Sequence, residues 1–205
     1  MTWEEIQKAT LDKVFSRTNY GVETPLNSAD IADYVKAMPH NANFAFIDLA
    51  EVMPIYKSVE VEIDERMQGN RLYRVRDLAP DFMRLCPDRL TITDEYNNFY
   101  RINDYQFDGD DQLYVPGGYV GTLVIWYEAL PAQVTEETPG DTVFELSEEA
   151  QRAIPLYIAS QIFKEDDISM SVQYLNEYEN CKAILRSRVQ NTQSGGGFTS
   201  VWGWV

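Results

Sequence analysis

Apolar residues in the first forty positions recur about every three or four residues, which is typical of amphipathic helices. The first predicted helix begins with Thr2 and Glu5, which have the spacing of a capping box, and ends near Thr18. The second is capped at Asn27-Ser28 and is terminated by Pro39. The N-terminal quarter is therefore predicted to be a small helical cluster.

The pattern changes to strands after a third helical piece, predicted for residues 44–53. Residues 59–64 alternate between apolar and acidic, which predicts a half-buried strand, and residues 72–77 are its predicted partner. Residues 108–111 indicate a hairpin turn. Residues 120–127 are largely apolar on both faces and predict a central strand. About six strands joined by short loops predict an antiparallel meander.

Two longer helices are predicted for the C-terminal part. Ser147 caps the first of them, and Pro155 inside it should kink its axis. The second starts at Asp166-Asp167 and ends near Val189. One apolar stripe follows this last helix, formed by Ile168, Val172, Leu175, Tyr178 and Leu185.

These patterns predict an α+β fold, in which a helical bundle carries an inserted antiparallel β-meander and an extended C-terminal arm. The expected divisions are N-terminal helices of the bundle in residues 1–55 and the β insertion in residues 56–130. A loop and two long helices complete the bundle in residues 131–189, and residues 190–205 form the arm.

The net charge of −16 disfavours partners that are themselves strongly negative. Binding to nucleic acid through phosphate neutralisation, or to an anionic membrane, needs a basic face. A channel lined by such a protein would repel DNA. No apolar run approaches the length of a membrane span, and the acidic start lacks the pattern of a secretory signal, so synthesis in the cytoplasm is expected.

Little in the composition supports metal or cofactor chemistry. His40 is the single histidine, and the two cysteines, Cys86 and Cys181, lie far apart in the chain. We therefore expect no metal site, no cofactor and no catalytic residue of the histidine type. Cys86 is interpreted as a packed thiol rather than a nucleophile.

The C-terminal end combines a glycine run at residues 195–197 with a segment that has no charged side chain. The glycines predict a flexible tether. The tip after it is predicted either to dock in a groove of another chain or copy, or to fold back on its own domain. The candidate binding residues of this arm are Phe198, Val201, Trp202, Trp204 and Val205.

Arginines and glutamates near the predicted strands form a second candidate interaction set. Arg74 and Arg76 are expected on one face of a strand, and Glu60 and Glu62 on one face of a neighbouring strand. The set is interpreted either as ordinary salt bridges within the sheet or as pairing between subunits.

Several segments resemble the head-to-tail adaptor (connector) proteins of tailed bacteriophages. The segment YRVRDLAPDF at residues 73–82 is similar to a segment of the Y-x-L-P-x-D-F type in that family. GTLVIWYEALP at residues 121–131 resembles its last strand and exit loop. LSEEAQ with IPLYIASQIF, within residues 146–163, and YLNEYE at residues 174–179 resemble its C-terminal helices. The resemblance extends over roughly residues 70–187.

The resemblance implies a structural virion protein without enzymatic activity, located at the head–tail junction. Such adaptors form a ring on the portal protein, usually with its dodecameric symmetry, extend the DNA channel and offer a platform to the next neck or tail protein. Their C-terminal arms commonly reach into the portal, where Phe198, Trp202 and Trp204 would be the anchors and Val205 would present a free carboxylate. The alternatives are another neck or tail-completion protein, or a carbohydrate-active hydrolase with paired carboxylates.

Overall fold

The protein has an α+β fold in two compact units, which confirms the predicted fold class. The computed structural model describes most of the chain, namely residues 1–15, 26, 31–64 and 69–194. Met1–Met53 together with Pro131–Val205 form the helical unit, and Pro54–Leu130 form the β unit. The predicted cap at Asn27-Ser28 lies outside the described residues. The first helix ends at Val14, four residues before the predicted end near Thr18, because Phe15 already has an extended backbone.

Six helices and seven strands are found in the described part of the chain. The helices are α1 (Trp3–Val14), α2 (Ala32–Ala50), α3 (Val75–Leu78), α4 (Glu148–Gln151), α5 (Ile154–Asp166) and α6 (Ile168–Ser194). The strands are β1 (Ile55–Ile63), β2 (Arg71–Arg74), β3 (Phe82–Thr93), β4 (Phe99–Arg101), β5 (Gln106–Asp108), β6 (Gln112–Val115) and β7 (Gly121–Ala129).

Helix α5 is the centre of the helical unit, because α1, α2 and α6 all pack against it. Its side chains Ile154, Ile158 and Ala159 are fully buried. Helix α1 begins with the predicted capping box, in which Thr2 and Glu5 bond each other's backbone N–H groups. The capped start and the buried apolar residues Trp3, Ile6 and Leu11 together stabilise α1.

The interpretation of Pro39 as a helix terminator was wrong. It lies inside α2, so the predicted second and third helices are one continuous helix. A proline leaves one backbone carbonyl without its helical partner. The buried positions Met38, Ala42 and Phe46 keep the helical period across it, and their burial outweighs the single lost hydrogen bond.

Pro155 also differs from expectation, because it lies in the first turn of α5 and not in the interior of a longer helix. The predicted helix is divided into α4 and α5 by a turn at Arg152 and Ala153. Backbone N–H groups in the first turn have no helical partner, so a proline there removes nothing and causes no kink. Ser147 caps α4 as predicted, accepting a hydrogen bond from the Ala150 N–H at 3.2 Å.

The β unit contains two antiparallel sheets. The four-stranded sheet has the order β1-β7-β3-β4, and the three-stranded sheet has the order β2-β6-β5. The long apolar strand β7 lies between β1 and β3, which confirms its predicted central position. The predicted hairpin turn around Gly109 joins β5 to β6, and the φ of +63° at Gly109 explains why glycine stands there.

The predicted pairing of residues 59–64 with residues 72–77 was wrong. Strand β1 pairs with β7, and β2 pairs with β6 in the other sheet. The second predicted strand also ends early, because Val75–Leu78 form the short helix α3. Alternation along a strand identifies its buried face but carries no information about its partner.

Candidate interaction surfaces

Helix α6 exposes part of its predicted apolar stripe. Of the five stripe residues, Tyr178 and Leu185 are buried. Ile168 is 73% exposed, Val172 50% and Leu175 37%. The spacing of these three places them on one face of the helix. Only part of the predicted stripe is therefore buried, and α6 presents an exposed apolar face.

The buried face of α6 is held by a polar network around Tyr178. The Tyr178 hydroxyl donates to Asp48 Oδ2 at 2.6 Å, and Lys182 Nζ donates to the same oxygen at 2.8 Å. Burial first, and then the bond to Asp48, raise the pKa of Tyr178 far above its ordinary value. The Tyr157 ring packs at 5.1 Å from the Tyr178 ring. The network fixes α6 against α2, and this sets the direction in which the exposed face points.

The start of α6 is equally well defined. One carboxylate oxygen of Asp167 accepts hydrogen bonds from the Ser169 N–H at 2.9 Å and the Met170 N–H at 3.1 Å. These bonds, first of all that from Met170, lower the pKa of Asp167. The cap places Ile168 in the first turn, so the exposed apolar face starts at the N-terminal end of α6.

The outer face of the four-stranded sheet combines aromatic and charged groups. The Arg89 guanidinium lies 4.9 Å from the Tyr56 ring centre and 5.9 Å from that of Trp126. Arg84 Nη1 lies 3.4 Å from Glu128 Oε2, an oxygen that accepts no hydrogen bond among the described residues. Stacking on two rings and an ion pair stabilise this face locally.

Charges of opposite sign lie at the two edges of the same sheet. Glu60 of β1 is opposite Val124, which is opposite Thr91 of β3. Thr91 is opposite Arg101 of β4. The four residues form one row across one face, with an acidic side chain at the β1 edge and a basic one at the β4 edge. Arg101 was not predicted from the sequence, because the exposure of all three residues of β4 is visible only in the structure.

The structure does not bring together the four charged residues predicted to interact. Glu60 and Glu62 lie on β1, whereas Arg74 ends β2 in the other sheet and Arg76 lies in α3. The expectation that Arg74 and Arg76 share a strand face was therefore wrong. Among the residues that the structure describes, neither arginine forms an ion pair, so salt bridges within the sheet do not explain them. Pairing between subunits stays a prediction for this set.

A cavity of about 410 Å³ in the β unit has three acidic residues, Glu62, Asp94 and Glu95, among those that line it. The Asp94 carboxylate accepts bonds from the Tyr96 and Asn98 N–H groups, each at 2.9 Å, and thereby holds the β3–β4 turn. The pKa of Asp94 is lowered, chiefly by the bond from the Asn98 side chain. Glu62 accepts from the Thr122 hydroxyl at 2.8 Å. Two of the three carboxylates thus have structural partners.

Other candidates for chemistry have ordinary structural surroundings. Cys86 is buried, and burial followed by the charge of Glu128 raises the pKa of its thiol, which disfavours the nucleophilic thiolate. Within the described ranges, no cluster of three or more His, Cys, Asp or Glu side chains is arranged to hold a metal ion. None of the helices in the same ranges has the length and apolar character to cross a membrane.

The arm residues Phe198, Val201, Trp202, Trp204 and Val205 lie outside the described residues, so their docking stays a prediction from sequence. No protein-family model matches the chain, and no curated protein matches it.

Proposed function

We propose that this protein is a structural virion component, a head–tail adaptor that forms a ring on the portal protein. The ring would extend the DNA channel and serve as the platform for the next neck or tail protein. The observation that carries the proposal is the apolar face of α6, formed by Ile168, Val172 and Leu175. An apolar face on an otherwise charged chain is favourable when another protein covers it. In the proposed ring, α6 of each subunit packs against a neighbouring copy.

The C-terminal arm is the proposed attachment to the portal. Phe198, Trp202 and Trp204 would enter a groove of the portal protein, since aromatic side chains contribute the largest buried area in such contacts. The Val205 carboxylate would be bound by backbone N–H groups or an arginine. The tether of glycines before the tip gives the reach that this mode of binding needs.

Deletion of residues 195–205 tests the attachment. The shortened protein should keep the circular dichroism spectrum and solubility of the full chain but should no longer sediment with portal rings of the same virus. A matched control replaces the three glycines at 195–197 by serines, which keeps a flexible tether and the aromatic tip. Attachment of the shortened protein at the affinity of the full chain would reject the role of the arm.

The charge of the chain supports the passage of DNA without adhesion. With a net charge of −16, the protein should repel the phosphate backbone at the low ionic strengths that favour electrostatic binding. Titration of the purified protein into duplex DNA at about 20 mM salt should show no complex in a mobility-shift assay, since screening is weak there. Tight binding that weakens as salt is added would contradict a non-adhesive channel wall.

A further inference from the structure

The four-stranded sheet has two open edges. Strand β1 pairs with β7 and strand β4 pairs with β3, and in the described part of the chain neither has a second partner. Phe99 is 75% exposed and Tyr100 51%, and Arg101 is exposed as well. An unpaired edge presents a row of free N–H and C=O groups that can pair with another strand.

The direction of backbone groups at each edge follows from hydrogen bonds near β4. The Asp94 N–H donates to the Asn98 carbonyl at 3.1 Å, and the Ile102 N–H donates to the Leu90 carbonyl at 2.9 Å. Hydrogen-bonded and non-bonded pairs alternate along an antiparallel ladder. Tyr100 is midway between these two bonded pairs, so its backbone groups point inward to β3. Those of its two neighbours in β4 point outward.

The same alternation, continued across β3 and β7, gives the direction at the other edge. The backbone N–H and C=O groups of Thr91 and Thr93 point to β7. Leu123 lies between their two partners in β7, so its backbone groups point the other way, to Val61 of β1. The outward backbone groups of β1 are therefore those of Glu60 and its alternate neighbours. A new antiparallel pair requires backbone N–H and C=O groups that point outward in both strands, and β1 and β4 each provide them.

Strand direction is also compatible. Each neighbouring pair in the order β1-β7-β3-β4 is antiparallel, so β1 and β4 run in opposite directions. When β4 of one copy lies beside β1 of a second copy in the same orientation, the new pair is antiparallel. A sheet with an even number of antiparallel strands can continue from copy to copy in this way.

The side chains of the two edges complement each other in one register. Continuing the existing cross-strand rows places Arg101 opposite Glu60 of the next copy, so that unlike charges meet. On the other face, the same register places the exposed Tyr100 ring opposite Val61, where two apolar groups meet. In this register, Arg101 and Glu60 exchange backbone hydrogen bonds. Tyr100 and Val61 form a pair without backbone hydrogen bonds, in which the side chains lie closer together.

We infer that β4 of one copy adds to β1 of the next copy, with Arg101 opposite Glu60, and joins the sheets of neighbouring subunits. This inference rests on the proposed ring, because it names a second contact between its subunits, in addition to that of α6. The contact is heterologous: each copy contributes one edge to each of its two neighbours. Contacts of that kind close into a ring when the rotation between copies divides a full turn.

Reversal of each charge tests the pairing. The variants Glu60→Arg and Arg101→Glu each place like charges opposite each other, and each alone should assemble about tenfold more weakly than the unaltered protein. An equimolar mixture of the two should recover assembly, because every contact between unlike variants again joins an arginine to a glutamate. Native mass spectrometry of assemblies on portal rings should then show the two variants in equal numbers. Glu137→Arg and Arg152→Glu make the same charge changes at exposed sites in the helical unit and should assemble alone.

A covalent readout of the same contact does not depend on charge. The pairing places residue 99 opposite residue 62 of the next copy, at about 5.5 Å between Cα atoms, which a disulfide can span. With Cys181→Ser to remove a partly exposed thiol, a chain carrying Glu62→Cys and Phe99→Cys should form a ladder of oligomers on oxidation. Each single-cysteine variant should stop at the dimer.

The outcomes separate this inference from the proposed function. Normal assembly of both charge-reversal variants, failure of their mixture to recover, or a cysteine ladder that ends at the dimer would overturn the edge pairing while the ring proposal stands. Failure of the unaltered protein to associate with portal rings would overturn the proposed function, and the pairing with it. Circular dichroism and thermal unfolding of each variant establish that it is folded before assembly is measured.

Discussion

Replacing the apolar face of α6 by polar side chains should weaken assembly without unfolding the protein. The double variant Ile168→Gln and Val172→Gln removes its two most exposed members. Glutamine is a better helix former than either residue, so α6 should persist. Substitutions at exposed positions change the free energy of unfolding by about 0.5 kcal/mol or less. The change therefore acts on binding rather than on folding.

The size of the effect follows from the exposed fractions. Full burial of an aliphatic side chain of this kind contributes about 2 kcal/mol. Ile168 is 73% exposed and Val172 50%, so that a partner covering both would gain roughly 2 kcal/mol from them. Every 1.4 kcal/mol corresponds to a factor of ten, and each contact should therefore become about 30-fold weaker.

The assay is sedimentation velocity of the protein with portal rings across a range of concentrations. Ile184→Gln is the matched control, because Ile184 is 54% exposed on the same helix but lies on a different face. The control should assemble like the unaltered chain, while the double variant requires a higher concentration. If the double variant and the control assemble equally well, α6 is not the interface and the reasoning fails.

Two further substitutions test the fold itself. Tyr178→Phe should lower the free energy of unfolding in urea by about 2 kcal/mol, because a buried hydrogen bond to the Asp48 carboxylate is lost. Since the pKa of Tyr178 is raised, its contribution is fully present below the ordinary tyrosine pKa and is lost in more alkaline solution, so the variant should lose less stability there than the unaltered protein. Gly121→Ala should lower the free energy of unfolding by about 3 kcal/mol, because the φ of Gly121 is +124° and a Cβ there would lie 2.2 Å from the Thr93 carbonyl oxygen. Gly118 has a φ of +98° and open space around it, so Gly118→Ala should lose clearly less stability than Gly121→Ala. Equal losses of stability in thermal unfolding would refute the steric argument.

Local signals in the sequence predicted the structure well where one residue acts on its near neighbours. The capping pair Thr2 and Glu5, the cap at Ser147 and the turn at Gly109 all occur as expected. Each depends on a hydrogen bond or backbone conformation within four residues, so tertiary packing has little influence on it. The central strand β7 was predictable for a related reason, since only an interior strand is apolar on both faces.

The prolines and the strand partners could not be predicted in the same way. A proline removes one hydrogen bond wherever it stands, and whether the helix continues depends on what the turns around it bury. Pro39 lies in α2 between Met38 and Ala42, which are both fully buried, whereas Pro155 follows a turn that already separates α4 from α5. The pairing of β1 with β7 joins segments about sixty residues apart, and no local pattern encodes that choice.

The most informative difference between sequence and structure lies on α6, where some residues of a regular apolar stripe are not buried. Tyr178 and Leu185 are buried, but Ile168 and Val172 of the same predicted stripe are exposed. An apolar side chain that stays exposed to water contributes no hydrophobic free energy to the folding of its own chain. Places where a consistent local pattern disagrees with the folded unit are expected at functional sites. The open sheet edge at β4 is a second such place, because three consecutive exposed residues do not stabilise a strand of that length. In the proposed ring, a neighbouring subunit would cover both places.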